Sequence, residues 1–179
     1  MNRHGVNTYA KVAILSENMP HWTIAFFSAV AFGRVAVPIL LASSTTEVAN
    51  IIEHSGCEVL FVSKTLIAKV GEQHLQSMRL VYSIEDFTLI RKNSGPCGYV
   101  VTHVPRPDSL ATIIYTSGTS GKTKGVMLSH SNLCHSIQQA CHAQAASCSD
   151  RWLSILPMAH TYELALGMLY PIYVGATVY

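Results

Sequence analysis

Between Tyr115 and Gly125 the chain reads YTSGTSGKTKG, directly after the apolar run Leu110 to Ile114. A phosphate needs donors aimed at it from several sides, and a backbone free of Cβ obstruction can curl until successive amides point inward. Gly118, Gly121 and Gly125 permit that curl. The hydroxyls of Thr116, Ser117, Thr119 and Ser120 add short-range donors, and Lys124 adds a mobile positive charge suited to a polyphosphate, a task Lys122 could share. The bland alternative is a flexible surface loop, since Gly and Ser alone also make linkers.

Gly121-Lys122-Thr123 matches the second half of the Walker A pattern, but that pattern needs its first glycine at position 116, which is Thr. A helix should also open at Lys122, whereas the following GVMLSH has the character of a strand. Spacing and context therefore both argue against a Walker A loop.

The elements that must position this loop alternate. Lys11 to Leu15 reads as a buried strand, and SENMPHW as a helix start with Asn18 at the N-cap, Pro20 in the first turn and a helix running to about Gly33. Val35 to Ile39 is a second strand with Pro38 at its end. Ser44-Thr-Thr-Glu47 is a capping box, and its helix should stop at Gly56. EVLFVS gives a third strand, Thr65 to Leu75 a helix, and Arg79 to Tyr82 a fourth strand. Asn93 to Asp108, rich in Pro and Gly, reads as a surface connection containing a short strand. Then come a strand at Leu110 to Thr116, the loop, a strand at Gly125 to Leu128, a helix from Ser131 to about Ala146, a strand at Trp152 to Ile155, a turn or helix, and a strand beginning at Ala176. Such alternation specifies an α/β fold, a mainly parallel doubly wound sheet with helices on both faces.

Composition agrees. The 179 residues suffice for one domain with a core, and 49% hydrophobic against 12% charged residues suits a sheet covered on both sides. The net charge of +2 is scattered along the chain, so nucleic acid is not an expected partner. Only four consecutive apolar residues precede Ser16, too few for a signal peptide. The apolar stretch from Trp22 to Ala42 is broken by Ser28, Gly33, Arg34 and Pro38, which argues against a membrane span. Five cysteines without a secretion signal point to reduced thiols and a cytoplasmic setting. Cys134, Cys141 and Cys148 recur every seventh residue, but on a helix that spacing is about 10 Å along the axis, too far for one tetrahedral metal. One buried helix face carrying small thiols is the simpler expectation, and no metal ligand is assigned.

YTSGTSGKTKGVMLSHSNL resembles the phosphate-binding signature of the adenylate-forming (AMP-binding) enzymes, with Lys124 and Gly125 in register and Thr123 where that family usually has Pro. VAILSENMPHWTIAFFSAVAFGRVAVPI and EVANIIEHSGCEVLFVS are similar to the family's early strand-helix blocks, and LPMAHTYELALGMLYPIYVGATV to the segment that follows the loop and lines its acyl pocket. The form LPMAHTYE is most similar to the long-chain fatty acid CoA ligases. The resemblance implies ATP-dependent activation of a carboxylic acid to acyl-AMP and transfer of the acyl group to CoA. It implies ATP contacts from Thr116, Ser117, Gly118, Thr119, Ser120, Gly121 and Lys124, with Lys124 also catalytic. It places His160 near the reacting carboxylate, against the alternative of a satisfied structural histidine. Tyr162 and Glu163 are weaker candidates, Glu163 having the simpler role of capping or solvating the following helix.

The family's adenine and magnesium segment, its ribose-gripping Thr-Gly-Asp and the C-terminal domain with the adenylation lysine have no counterpart in residues 1–179. The expectation is a partial N-terminal AMP-binding domain, inactive alone, with the Mg2+ ligand beyond Tyr179. Two alternatives are an adenylating enzyme for another acid and a non-catalytic truncated binding protein. Expected partners are small molecules: ATP, the acid and CoA. Fatty substrates would suit peripheral membrane contact, although no amphipathic basic helix supports it, and the oligomeric state is open.

Overall fold

The apolar runs assemble into one sheet in a computed structural model that describes residues 6–7, 9–93, 104–117 and 123–179. The chain order is β1 (Lys11–Leu15), α1 (Pro20–Val30), β2 (Val35–Pro38), α2 (Thr45–Ser55), β3 (Cys57–Val62), a 3-10 turn (Ile67–Lys69), α3 (Glu72–Ser77), β4 (Leu80–Ser83) and β5 (Leu89–Lys92). It continues with β6 (Leu110–Ser117), β7 (Thr123–Ser129), α4 (His130–Ala143), β8 (Arg151–Trp152), a π-helix (Glu163–Leu169), α5 (Tyr170–Val174) and β9 (Thr177–Val178).

Seven strands form a sheet in the order β5-β4-β3-β1-β2-β6-β7, and β8 and β9 pair separately. The five inner strands run parallel, while β5 and β7 close the two edges antiparallel. Strand alternation divides the core between the two faces. Val12, Ile14, Val59, Phe61 and Ile114 join α1 and the residues around Met158 to Tyr170, whereas Ala13, Leu15, Leu60, Val62 and Tyr115 join α2 and Met78. The doubly wound architecture is therefore present as expected, with two antiparallel edges added.

Local chemistry sets the boundaries. Ser44 and Glu47 form the reciprocal capping box, and Gly56 ends α2 in the left-handed conformation with φ +65°. The helix expected over Thr65 to Leu75 is instead the 3-10 turn and α3, separated by Gly71 at φ +76°, a conformation that no helix interior tolerates. α1 stops at Val30 rather than near Gly33, because Gly33 adopts φ +71°. Asn18 is not its N-cap: Met19 holds that position without a side-chain cap. Residues 22–42 split into α1 and β2, and among the described residues no helix is long and apolar enough to cross a membrane. Most of the Pro- and Gly-rich connection lies outside the described residues.

Candidate functional site

β6 and β7 form a hairpin whose register runs from Leu110 opposite Ser129 to Ser117 opposite Thr123. This antiparallel strand after the Gly-rich loop is where a Walker A loop would have a helix. Gly118, Thr119, Ser120 and Gly121, together with Lys122, lie outside the described residues. Thr116 is directly opposite Lys124, which puts both side chains on one face of the hairpin, and both are exposed.

A cleft of about 350 Å³ opens at this rim. It is bounded by Thr116 and Thr123 from the hairpin, Pro38 from the end of β2, Glu47 from α2, and Ala159 and His160 from the segment before the π-helix. The ends of parallel strands beside a change in strand order are where open α/β sheets hold ligands. Lys124 does not line the cleft itself but flanks it through Thr116, while His160 does line it. The fold thus brings together Thr116, Lys124 and His160, residues separated by up to 44 positions (160 − 116) in sequence.

The hairpin root is braced from the other face. Tyr115 is opposite Gly125, and a Cβ at Gly125 would lie 2.9 Å from Ile113 Cγ2 and 3.2 Å from Tyr115 Cζ, so the glycine makes room for the ring. The Tyr115 hydroxyl meets His54 Nδ1 at 2.8 Å, and burial pushes its pKa up, which keeps it a neutral phenol. Neither contact was legible in the sequence, because Tyr115 and His54 lie 61 positions apart.

His160 is exposed, and its backbone is fixed by two hydrogen bonds, from its amide to Pro157 O (2.8 Å) and from the Leu164 amide to its carbonyl (2.9 Å). Its Nδ1 accepts from the Tyr162 amide at 3.3 Å. A ring nitrogen that accepts carries no proton, so the proton of the neutral ring sits on Nε2, which can donate to an anionic oxygen. Thr123 and Thr161 also line the cleft and were missed as site residues, although Thr123 was visible as the departure from proline.

A second groove of about 330 Å³ runs between α4 and the π-helix, with Trp152, Tyr162, Leu166 and Tyr170 as its apolar walls and Gln139 and Gln144 as its polar ones. Glu163 neither caps nor solvates its helix. It is buried, and Ser154 Oγ donates to its Oε1 at 2.6 Å.

The heptad cysteines do not share a buried face. Cys134 and Cys148 are exposed, Cys148 lies beyond α4, and Ile137 is that helix's buried residue. Cys57, by contrast, is buried, and burial pushes its thiol up to about 12, which makes it unreactive. Among the described residues no three His, Cys, Asp or Glu side chains could together hold a metal ion.

The family model for AMP-binding enzyme matches residues 1–179. Long chain acyl-CoA synthetase 6, peroxisomal, from Arabidopsis thaliana is 31% identical over 194 residues, covering 98% of this chain and 28% of the relative. This chain thus spans under a third of the length of that curated relative. Among solved structures, o-succinylbenzoate CoA synthetase from Bacillus subtilis, in complex with its acyl-adenylate intermediate, superposes with a TM-score of 0.78 at 25% identity over 98% of this chain and 44% of that one. ATP-bound MatB from Rhodopseudomonas palustris shares the fold, with a TM-score of 0.77 at 20% identity over 96% of this chain and 35% of that one.

Proposed function

We propose, from the premise that this chain belongs to the AMP-binding enzyme family, that it supplies the triphosphate loop and the carboxylate-facing histidine of an acid–thiol ligase. The substrate is a long-chain fatty acid, activated with ATP to acyl-AMP and then transferred to CoA. Residues 1–179 are on this reading part of the N-terminal AMP-binding domain. The observation that carries the proposal is the convergence of Thr116, Thr123 and His160 on one cleft, with Lys124 beside Thr116.

A carboxylate is a poor electrophile. Its oxygen attacks the α-phosphorus of ATP, the bond from that phosphorus to the bridging oxygen breaks, and pyrophosphate leaves with the electron pair. A thiolate then attacks the acyl carbon and AMP departs. Two anions must approach in the first step, and charge must move onto pyrophosphate. Lys124 and the hydroxyls of Thr116, Ser117, Thr119 and Ser120, with the amides around Gly118 and Gly121, offset that charge as it develops. His160, with its proton on Nε2, donates to the carboxylate or to the α-phosphoryl oxygen and orients the attack. Magnesium would arrive with ATP and supply further positive charge to the phosphates.

The groove between α4 and the π-helix suits an acyl chain through Tyr162, Leu166 and Tyr170, and the name of the Arabidopsis relative supports a fatty acid. The likeness to o-succinylbenzoate CoA synthetase favours, as a second reading, another carboxylic acid on the same machinery. Acid-dependent ATP–pyrophosphate exchange in the longest native polypeptide containing residues 1–179 tests both. Exchange with palmitate supports the fatty acid, exchange only with aryl or amino acids supports the second reading, and none with any carboxylic acid sinks both. The cytoplasm is the proposed location, resting on free thiols such as those of Cys134 and Cys148. Since the Arabidopsis relative is peroxisomal by name, cell fractionation is the deciding measurement.

A further inference from the structure

His160 is carried by a segment between β8 and the π-helix that has no regular structure of its own, yet its ring must stand at the cleft. We infer that Asn18, Ser154 and Glu163 form a positioning network that sets the place of His160. Asn18 spends its side chain entirely on that segment. Its Nδ2 donates to Leu156 O at 2.7 Å and to Ser154 Oγ at 2.9 Å, and its Oδ1 accepts from the Met158 amide at 2.9 Å. These bonds reach 136 to 140 positions along the sequence. A residue placed to cap α1 instead clamps a loop from the far end of the chain.

The clamp has a second anchor. The Ser154 hydroxyl donates a hydrogen bond to Glu163 Oε1 at 2.6 Å, and Glu163 is only 4% exposed. Its carboxyl group lies over Gly167, where a Cβ would come within 2.3 Å of Cδ, so the glycine opens the seat. The segment is thereby held at residues 154, 156 and 158 on one side of His160 and at 163 on the other. A π-helix begins at Glu163, and the wider turn is the kind of irregularity that functional sites retain. Leaving the buried carboxylate without its donor is costly, which makes the three residues act together.

The role of His160 toward a carboxylate rests on the proposed function, but the placement of its ring can be read without substrate. In the isotopically labelled 179-residue chain, Asn18→Ala should speed hydrogen exchange of the Met158 amide by about tenfold, the loss of roughly one hydrogen bond and its neighbours, and shift the imidazole resonances of His160. Ser154→Ala should move the same resonances less. Glu163→Gln, which keeps an oxygen for Ser154, should stay near wild type, whereas Glu163→Leu should not. A folded Asn18→Ala chain with unchanged Met158 exchange and His160 resonances overturns the network; if that variant does not fold, Ser154→Ala decides by the same readout.

In the longer native polypeptide, Asn18→Ala should raise the KM for the acid about tenfold, leave the KM for ATP unchanged, and add nothing on top of His160→Ala. Multiplicative effects of the two substitutions overturn action through His160. If the wild type exchanges no pyrophosphate with any acid, the proposed function fails, and the resonance experiment still decides the network.

Discussion

Lys124 and Lys122 lie two residues apart in the sequence, and the hairpin register gives Lys124 its place. Lys124 stands opposite Thr116 at the rim of the cleft, fixed to β7 at its root, so its ammonium has a short and defined reach to a bound polyphosphate. Removing it should weaken ATP binding about ten- to hundredfold, the value of one or two charge-assisted hydrogen bonds at roughly 1.5–3 kcal/mol. Lys122→Ala should cost less than threefold, and isothermal titration with ATP measures both; equal losses would remove the distinction. Opposite Tyr115, Gly125 makes a different kind of contribution. Gly125→Ala would press a Cβ against Ile113 Cγ2, 2.9 Å away, and against the Tyr115 ring. A β-branched side chain in a packed sheet yields little, so the substitution should destabilise the chain by about 1–3 kcal/mol in urea titration and loosen the Tyr115–His54 bond at the root of the loop.

At the scale of elements, α2 depends on a pair of residues that can be titrated. The Ser44 backbone amide and then its hydroxyl both donate to Glu47, and they hold that carboxyl below its ordinary pKa. A carboxylate whose pKa is lower in the folded chain contributes stability that is complete above its unfolded value and is lost as pH falls through the folded one. Ser44→Ala should therefore destabilise the chain by about 1 kcal/mol at pH 7, and the gap between variant and wild type should narrow below about pH 4.3, the ordinary glutamate pKa. Denaturant midpoints at pH 7 and pH 3.5 check this; a gap that stays constant would assign the cap to the serine hydroxyl alone. This box was legible in the sequence because both partners lie within one helical turn, and so was the helix end, where Gly56 adopts the left-handed conformation. So were the inner strands, whose apolar runs are buried on both faces. Asn18 and Glu163 misled for the opposite reason: each has a plausible role at the start of the helix that follows it, but Asn18 bonds to Met158, 140 positions away, and Glu163 to Ser154, outside its helix. The antiparallel β5 was not foreseen, since on this short edge strand only Leu89 and Arg91 are partly covered. Of the candidate site, Thr116, Lys124 and His160 were named from motif order, whereas the cleft that Thr116 and His160 share with Pro38 and Glu47 required the strand order β1-β2-β6.

Across the whole molecule, burial is uneven. The faces of the sheet around β1 and β3 are closed, while Met127, Leu153, Ile155 and Tyr173 are each more than 60% exposed, all of them in the part after the loop. The cleft lies at the junction of these two parts, with Pro38 and Glu47 from the closed part and Thr123, Ala159 and His160 from the open one. A ligand in the cleft would therefore cross-brace the chain and be felt as global stability rather than as a local change. Binding only to the native state adds about 2.7 kcal/mol at a hundredfold excess over Kd, and at about 2–4 °C per kcal/mol for a chain of this size the melting temperature should rise by roughly 5–10 °C. Differential scanning fluorimetry of the 179-residue chain with ATP measures the shift, and Lys124→Ala should reduce it while His160→Ala leaves it nearly intact, because the proposed function gives the lysine to the phosphates and the histidine to the acid. A cooperative transition with no shift at millimolar ATP would favour the non-catalytic reading of this chain. An equal loss in both variants would show instead that ATP is held through the junction as a unit and not through the loop.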